Sequence, residues 1–449
     1  MRYVGIDLHK RLLVACILDQ DGKVLERPRI EEVTRASLEA FCRQYLQPED
    51  QVALEVTTHV WAVVRILARH VARVVASNPL ATKAIAQAKV KTDKVDAHVL
   101  AQLLRLDYLP TVWAPDEALS QLRELTARRN RLVQDRTRRI NRLRTCLAMR
   151  LLDCPYEIPT ARGREWLERV ELDDDGRAMI DSDLRLLDSL QAEIDALDQR
   201  LAQRVYQDER VKLLMTMPGV SQHVAEAVVA AVGDIARFPS PEKLAAYLGL
   251  VPSTRQSANH CYHGGITKAG RAAARWALVQ AAHTVRGDLG PLGHFFHKLR
   301  RRKNYNVAVC AVARKLALLT WHLLTTGKPY RYAKPDTVAA KLSKLRVAGS
   351  GVKRRTGAGK GVNSRTLRAP EERNQKRTPG LTEVLRKEGL PAPSALTQGE
   401  ERVLERTGTK AYFESLQQER VRPRQRKSQP LALPIELPDD DGQPIVLRE

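Results

Sequence analysis

Short apolar runs separated by turn residues fill the first part of the chain, and this pattern constrains the fold more than any other feature. Tyr3–Asp7 and Leu12–Leu18 are apolar and short, and the dipeptide Asp21-Gly22 follows them before apolar sequence resumes at Val24. An Asp-Gly turn between apolar runs is a strong hairpin signal. Residues 3–31 are therefore predicted to form a meander of strands.

Helices and strands alternate after the meander. A helix fits residues 32–47, and Gln51–Val56 and Val71–Ala76 are typical of a fourth and a fifth strand. Helical, alanine-rich sequence then extends from Pro79 to about Leu106. Meander strands followed by alternating helices and strands are the order expected of an RNase H-like α/β fold, which we predict for residues 1–112.

The next segment has the periodicity of paired helices. Residues 116–152 are predicted to form one long helix, with apolar side chains seven residues apart at Val133, Ile140 and Leu147. A second helix is predicted over residues 182–205, where steps of three and four residues separate Leu187, Leu190, Ile194, Leu197 and Leu201. The run Asp173-Asp174-Asp175-Gly176 between them indicates a linker or tip. We expect an antiparallel coiled-coil arm over residues 113–207.

Two further regions follow the arm. Residues 208–328 are predicted to form a mainly α-helical domain with late helices at 271–287 and 304–326. Residues 329–449 are rich in Lys, Arg, Gly, Ser and Pro and poor in large apolar side chains. This composition predicts a basic, largely disordered tail with a short helix at 398–419.

The chain is strongly basic. Its 449 residues include 75 Lys plus Arg against 52 Asp plus Glu, a formal net charge of +23. Such a charge favours a polyanionic partner, either nucleic acid or an anionic membrane surface. We favour nucleic acid and no membrane, because the chain has no run of about 18 apolar residues and no signal-peptide pattern at its start. A cytoplasmic location is expected, with all six cysteines reduced.

Four acidic residues stand where strand ends and a helix could bring them together: Asp7, Glu55, Asp93 and Asp96. Asp7 ends the first strand and Glu55 the fourth, and these strands are neighbours in an RNase H-like sheet. Asp93 and Asp96 are three residues apart, which places both on one face of a helix. Clustered carboxylates repel one another without cations, and oxygen ligands suit Mg²⁺ or Mn²⁺. The acids therefore predict a metal site for phosphoryl transfer.

An ATPase function is disfavoured for this first domain. Sugar kinases and actin-like ATPases also open with an Asp on a strand, but they need a glycine-rich phosphate hairpin directly after it. Here the Asp is followed by Leu8-His9-Lys10-Arg11, without glycine.

Arginines crowd the predicted long helix. Residues 121–150 contain ten Arg and two acidic residues, Glu124 and Asp135. Guanidinium groups bind phosphate oxygens in pairs, so we expect this helix to contact the backbone of DNA or folded RNA. The candidate contacts are Arg128, Arg129, Arg131, Arg136, Arg138, Arg139, Arg142 and Arg144.

Two segments of the helical domain could approach a phosphate closely. Pro218-Gly219-Val220 precedes an Ala- and Val-rich helix and resembles the turn of a helix-hairpin-helix motif, although a plain interhelical turn fits as well. Residues 246–271 are predicted to include a loop of small polar residues, glycines and bases. A serine in this loop could attack DNA, with Arg255, Lys268 and Arg271 stabilising charge, although an ordinary surface loop explains the same residues.

Taken in order, these motifs resemble a known family. Three phrases are similar to the DEDD motif of the insertion-sequence-110 family of transposases, whose relatives include Piv-type DNA invertases: Gly5-Ile6-Asp7, Leu54-Glu55-Val56-Thr57 and Lys91-Thr92-Asp93-Lys94-Val95-Asp96-Ala97. Three later phrases are similar to that family's C-terminal transposase domain: Pro218-Gly219, Ala246-Tyr247-Leu248-Gly249-Leu250-Val251-Pro252 and Ile266-Thr267-Lys268-Ala269-Gly270. The resemblance covers about residues 1–326.

The resemblance implies a transposase or site-specific DNA recombinase with two kinds of active site. A RuvC-like first domain would bind Mg²⁺ or Mn²⁺ through the four acids, Asp7, Glu55, Asp93 and Asp96. The family's nucleophilic serine follows the Leu-Val-Pro phrase by a few residues, which corresponds to Ser257, with Ser253 as the alternative. Ala258 stands where the family usually has glycine.

The resemblance also implies partners. The protein would act on donor and target DNA as a homo-oligomer, a dimer or tetramer, in which the two sites come from different subunits. Members of one branch are guided by a structured RNA encoded by the element.

Two other functions stay open from the sequence. One is a metal-only RuvC-like nuclease or junction resolvase, in which the later domain only binds. The other is a non-catalytic nucleic-acid-binding protein with a decayed site.

Overall fold

The computed structural model describes residues 1–85, 92–257, 260–351 and 375–423, the last without the side chains of 375–378 and 420–423. The chain divides into two compact units, Met1–Asp116 and Glu117–Glu449. The boundary at Asp116 lies close to the predicted one at 112.

The first unit is built on a mixed sheet. Its described strands are β1 (Tyr3–Leu8), β2 (Leu13–Leu18), β3 (Val24–Glu26), β4 (Arg29–Ile30), β5 (Gln51–Glu55), β6 (Arg73–Ser77) and β7 (Thr111–Val112). The order is β3-β2-β1-β5-β6-β7, and β4 also pairs with β2. β1 is antiparallel to β2 but parallel to β5, and β5 is parallel to β6. Pro28 lies between β3 and β4 and has no N–H for the ladder, so the predicted third strand is split and the predicted fourth strand is β5.

Helices pack on both faces of this sheet. α1 (Arg35–Tyr45) and α2 (Val60–Leu67) bury apolar side chains against the face that carries Ile6 and Leu54. α3 (Pro79–Ile85) follows β6. α4 (Asp93–Arg105) packs on the opposite face, where its leucines meet Ala53 and Val75.

Two long helices of 32 residues each open the second unit, α5 (Glu117–Ala148) and α7 (Asp174–Val205). Their side-chain partners run in opposite directions, because Arg129 bonds to Asp198 whereas Arg139 bonds to Asp183. The two helices therefore lie antiparallel, as expected. α7 buries Leu187, Ile194 and Leu201, which are seven residues apart.

The predicted linker between these helices is structured. It contains α6 (Ala161–Arg169), whose Leu167 joins an apolar cluster with Leu143 and Ile180. The prediction that Asp173–Gly176 form a tip was wrong, because Asp173 is the N-cap of α7 and its carboxylate accepts a hydrogen bond from the N–H of Gly176. Acidic residues stabilise the positive end of a helix, so the aspartate run begins α7.

The second unit continues as a mainly helical domain. Its next helices are α8 (Glu209–Met215), α9 (Gln222–Val232), α10 (Pro241–Tyr247), α11 (Ala272–Thr284), α12 (Pro291–Arg300) and α13 (Tyr305–Thr326), with short 3₁₀ turns at Ile235–Arg237 and Val285–Gly287. A hairpin of β8 (Pro252–Ser257) and β9 (His260–Ile266) interrupts them. α11 and α13 match the predicted late helices, and α12 lies between them.

One helix in the described part of the chain, α13, is long and apolar enough by composition to cross a membrane. Its Val312, Leu316 and Leu323 are buried, and it packs against α10, α11 and α12. These are the contacts of a core helix in a folded domain.

The region predicted to be a disordered tail also contains regular structure: α14 (Pro335–Ser350), α15 (Leu381–Lys387), α16 (Gln398–Arg406), α17 (Lys410–Gln417) and the paired strands β10 (Gln375–Thr378) and β11 (Arg420–Pro423). The prediction of disorder was wrong over these stretches. α14 buries Val338, Leu342 and Leu345, which recur at helical spacing and pack with α7 and α8. Residues 352–374 and 424–449 of the predicted tail lie outside the described residues.

Candidate functional site

Gly5 allows α4 to lie directly on the sheet. A Cβ at this position would be 2.0 Å from the carbonyl oxygen of Ala97 and 2.5 Å from the backbone nitrogen of Ala101. Thr92 caps α4, and its hydroxyl accepts a hydrogen bond from the N–H of Val95. The first turn of α4 therefore meets the end of β1, where Asp7 lies two residues beyond Gly5. Lys91, part of the same motif, lies outside the described residues.

Three adjacent parallel strands carry polar side chains at one level. The printed β1–β5 pairing ends at Ile6 and Leu54, so Asp7 and Glu55 are the next residues, and Glu55 pairs with Ser77 on β6. Side chains alternate between faces along a strand, so Glu55 and Ser77 lie on the α4 side, the same face as Ala53 and Val75. The Ser77 side chain is fully buried, and its hydroxyl has no hydrogen-bond partner.

Asp7 and Asp93 converge on one imidazole. Nε2 of His9 lies 3.2 Å from Oδ2 of Asp7 and 3.4 Å from Oδ1 of Asp93. One ligand atom from each of these three residues lies within 4.8 Å of the others, a spacing that could hold a metal ion. The sequence reasoning did not select His9, although residues i and i+2 of a strand share a face and Asp7-Leu8-His9 shows that spacing.

The electrostatics of this cluster depend on burial and like charges. Burial raises the pKa of the Asp7 carboxyl, His9 lowers it, and the charges of Asp93 and then Asp96 raise it again. Asp96 is therefore close enough to act on Asp7. Four carboxylates on one side of the sheet provide hard oxygen donors, which fit Mg²⁺ or Mn²⁺.

Ser257 lies at the tip of an exposed hairpin. The structure places it in β8, opposite His260, and places Arg255 opposite Tyr262. Opposed residues in an antiparallel pair share a face, so Ser257, Arg255 and His260 are neighbours. Ser253, nearer the base, donates its hydroxyl to the carbonyl of Gly265 at 3.2 Å.

The prediction of a loop around Ser257 was wrong, because the chain pairs as strands on either side of residues 258–259. The two residues between the strands, Ala258 and Asn259, lie outside the described residues. Thr254 and His263 face each other across the hairpin, with 3.0 Å between Oγ1 and Nδ1. This side-chain contact adds to the backbone pairing of the two strands.

The two conserved-looking phrases at the base of this hairpin pack against each other. Gly270 has a φ of +71°, and a Cβ there would lie 2.0 Å from the carbonyl oxygen of Tyr247. Lys268 also has a positive φ, +55°, which is unusual for a residue with a side chain. Arg271 donates from Nε to the Tyr247 hydroxyl at 3.4 Å. Of the predicted charge stabilisers, Arg255 thus lies on the hairpin, and Lys268 and Arg271 lie at its base.

The Pro218-Gly219-Val220 turn joins α8 to α9. Gly219 has a φ of +73°, and a Cβ there would lie 2.3 Å from both the carbonyl oxygen of Ala281 and Oγ1 of Thr284. The turn is thus packed tightly against α11. Ser221 is the N-cap of α9 but makes no side-chain capping bond.

The arginines of α5 separate into two groups. Arg129, Arg136 and Arg139 turn towards α7, where their partners are Asp198, Gln191 at 2.6 Å and Asp183 at 3.0 Å. These three hold the helix pair together, which corrects the expectation that all eight face a nucleic acid. The exposed group, called here the outer arginines, consists of Arg128, Arg131, Arg138, Arg142 and Arg144.

Comparison with known families gives two matches. A family described as "Transposase", of the DEDD IS110 type, matches residues 4–149, and the "Transposase IS116/IS110/IS902 family" matches residues 211–296. Together the matches cover just over half of the chain. The first contains all four predicted acids, and the second contains both candidate serines.

Similar proteins carry consistent names. A "Probable family 20 transposase" of Pseudomonas aeruginosa is 28% identical over 73% of this chain and 98% of its own length. The transposase for insertion sequence element IS1111A of Coxiella burnetii is 26% identical over 74% of this chain and 92% of its own. The pilin gene-inverting protein of Moraxella bovis is 23% identical over 73% of this chain and 97% of its own. The chain therefore belongs to the IS110/IS116/IS902 family of transposases, which are enzymes that cut and rejoin DNA.

Proposed function

We propose that this transposase cuts and rejoins DNA with two chemistries, an acidic site that binds Mg²⁺ or Mn²⁺ and a nucleophilic serine, Ser257. The observation that carries the proposal is the convergence of Asp7 and Asp93 on one point, the Nε2 atom of His9. Like charges brought together at a half-buried position are unfavourable unless a cation neutralises them.

The topology of the first unit supports an RNase H-like, RuvC-like domain. Two antiparallel pairings followed by two parallel ones place the ends of β1 and β5 side by side, which brings Asp7 next to Glu55. In the second unit we propose a coiled-coil arm over residues 113–207, a serine transposase domain over 208–328 and a basic extension over 329–449.

The acidic site would hold its cation through Asp7, Glu55, Asp93 and Asp96. A bound divalent ion supplies charge neutralisation at the phosphate and lowers the barrier to phosphoryl transfer. The chain's own contribution is to fix the carboxylates on two rigid elements, the strand ends and the first turn of α4. Close packing at Gly5 sets the distance between those elements.

Ser257 would form a covalent link to DNA. Its Oγ attacks the phosphorus of a phosphodiester, and the Oγ–P bond forms while the bond from phosphorus to one deoxyribose oxygen breaks. The hydroxyl proton passes to a base, for which His260 across the hairpin is well placed, and the departing sugar oxygen takes up a proton. Attack by the sugar hydroxyl of another strand reverses these steps and rejoins the DNA. Arg255, on the same face, would stabilise the charge that develops on the phosphate.

Donor and target DNA are the proposed substrates, and the outer arginines are the proposed backbone contacts. A guide RNA encoded by the element is a further proposed partner. We propose a cytoplasmic homo-oligomer, a dimer or tetramer, in which the acidic site of one subunit and Ser257 of another act on the same strand.

Strand exchange by two matched variants tests this proposal. Asp7→Ala and Ser257→Ala are each expected to abolish strand exchange and to leave duplex binding nearly unchanged, whereas Ser253→Ala retains exchange. If only Asp7→Ala abolishes cutting, the protein is a metal-only nuclease. If neither variant changes any activity on DNA, the protein is a binding protein and the proposal is wrong.

A further inference from the structure

Lys341, on α14, reaches the turn between α8 and α9. Its ammonium nitrogen lies 2.6 Å from the carbonyl oxygen of Met215, 2.9 Å from that of Met217 and 2.8 Å from that of Val220. An ammonium group has three N–H donors and no acceptor, so these three carbonyls use all of its hydrogen-bonding capacity.

The carbonyls that surround Lys341 are in a buried part of the domain. Met215, Met217 and Val220 are all at most 1% exposed. Met215 is the last residue of α8, where the helix dipole concentrates partial negative charge, so a cation is favourable there. Burial lowers the pKa of Lys341 to about 8, so the side chain is largely protonated at neutral pH.

Convergence of these carbonyls is a consequence of the tight turn. Gly219 is in the left-handed region, and the turn directs the carbonyl oxygens of its residues inwards, towards α14. Buried carbonyl groups without a donor are costly, and several of them pointing at one place also repel one another. A positive charge at their centre removes both penalties.

We propose that Lys341 is the built-in cation of this turn, a positioning residue that holds Met215–Ser221 in the shape that presents the start of α9 to a DNA phosphate. The inference rests on the proposed nucleic-acid contact at Gly219. It makes α14 a part of the DNA-binding domain, although α14 lies beyond the family match that ends at residue 296.

Other charged groups near Lys341 define what its charge controls. A small cavity of about 170 Å³ beside the turn is lined by Lys341 and by the titratable side chains of Asp288, Tyr332 and Lys334. Burial raises the pKa of Asp288 and the nearby Lys334 lowers it. α8 contributes Lys212, which donates to the carbonyl of Glu388.

On α14 itself, Arg346 pairs with the Glu388 carboxylate at 3.8 Å. These neighbours leave the three turn carbonyls to Lys341. A neutral lysine has only two N–H donors, so deprotonation leaves one of the three carbonyls without its bond.

The test is the affinity of the full chain for a fluorescent, random-sequence DNA duplex, measured by anisotropy at constant ionic strength. Lys341→Met is expected to weaken binding about tenfold, the loss of roughly one charged hydrogen bond's worth of positioning. Lys344→Met, on the exposed side of the same helix, removes the same formal charge and is expected to change affinity less than about twofold. Equal affinity of the two variants overturns the inference.

A pH profile supplies a readout that needs no folded variant. Affinity of the unaltered chain is expected to fall as the pH rises through about 8, and Lys341→Met is expected to lose this step. A step of the same size in both proteins contradicts the role of Lys341.

A salt exchange separates charge from packing. In Lys341→Ala the three carbonyls remain without their cation, and we expect K⁺ to restore part of the affinity when it replaces tetramethylammonium at equal ionic strength. Equal binding in the two salts would mean that the turn needs the packing of the lysine and not its charge, which overturns the inference.

Ser221→Asp distinguishes failure of the inference from failure of the underlying proposal. Aspartate is a good N-cap, so α9 stays intact, but its charge repels a phosphate at the helix start. If Ser221→Asp weakens binding and Lys341→Met does not, only the role of Lys341 is wrong. If Ser221→Asp binds normally, the proposed contact at the turn is itself wrong, and the inference falls with it.

Discussion

Gly5 and Ala97 are in backbone contact across the interface of β1 and α4, since a Cβ on Gly5 would lie 2.0 Å from the Ala97 carbonyl oxygen. This contact ties the strand that carries Asp7 to the helix that carries Asp93 and Asp96. The geometry of the acidic site therefore depends on a residue that has no side chain.

Gly5→Ala is expected to disturb the acidic site through this contact. The added methyl group meets backbone atoms that cannot rotate away, so α4 must shift, and overpacking of this kind lowers the free energy of unfolding by about 2 kcal/mol. Chemical denaturation measures that loss, and calorimetric titration with Mn²⁺ measures the expected fall in metal affinity. Gly287→Ala is the control, because its Cβ would meet no atom within 4 Å. A folded Gly5→Ala protein that binds Mn²⁺ normally would show that the packing does not set the site.

Mg²⁺ is expected to stabilise the first unit through Asp7. At about ten times its Kd, Mg²⁺ should raise the Tm by about 3 °C, because it binds the folded site and not the unfolded chain. Asp7→Asn removes a carboxylate whose pKa is raised by burial, so this variant should be no less stable without metal and should gain nothing from Mg²⁺. Differential scanning fluorimetry with Asp21→Asn, an exposed turn residue, as the control checks both results. An equal Mg²⁺ shift in Asp7→Asn rules out Asp7 as a ligand.

Arg139 and Arg142 are expected to separate stability from binding. Arg139 bonds to the buried Asp183, so Arg139→Ala leaves that carboxylate unpaired and should lower the free energy of unfolding by about 2 kcal/mol. Arg142 is exposed, so Arg142→Ala should leave stability unchanged and reduce the salt dependence of duplex binding by about one phosphate contact. Urea unfolding and anisotropy titrations over a salt series measure the two effects. The reverse pattern would mean that the two groups of arginines are assigned the wrong way round.

Lys341 gives the stability of the second unit a specific dependence on pH. Its pKa is lowered from 10.5 to about 8 in the folded chain, so between these values the unfolded state binds more protons. The contribution of Lys341 is therefore a penalty that is fully present below pH 8 and is lost as the pH rises towards 10.5, with a slope of up to about 1.4 kcal/mol per pH unit. The difference in unfolding free energy between the unaltered chain and Lys341→Met should show this rise. A flat difference would mean that the lysine is not buried as a cation.

Local patterns predicted the framework of the fold. Turn chemistry at Asp21-Gly22 and short apolar runs predicted the first strands, and heptad spacing predicted α5 and α7. Asp7 and Glu55 could be paired in advance because the carboxyl ends of parallel strands share an edge.

Long-range packing was beyond these patterns. The hairpin that carries Ser257 consists of exposed polar residues, whose alternation has no apolar side to identify it as a strand. α14 was hidden by a basic average composition, although Val338, Leu342 and Leu345 make one of its faces apolar. The inward turn of Arg129 and Arg139 depends on partners about 45 to 70 residues away, which no local pattern of charge reveals.

A covalent-adduct assay tests the central claim most directly. Cells that express the intact element with its flanks are denatured, protein bound to DNA is recovered, and the modified peptide is identified by mass spectrometry, with Ser257→Ala and Ser253→Ala as matched variants. We expect DNA linked through a phosphoserine at Ser257, no adduct from Ser257→Ala and a normal adduct from Ser253→Ala. DNA that is cleaved in the presence of Mg²⁺ without any serine adduct would contradict the assignment of Ser257 and leave a metal-only nuclease.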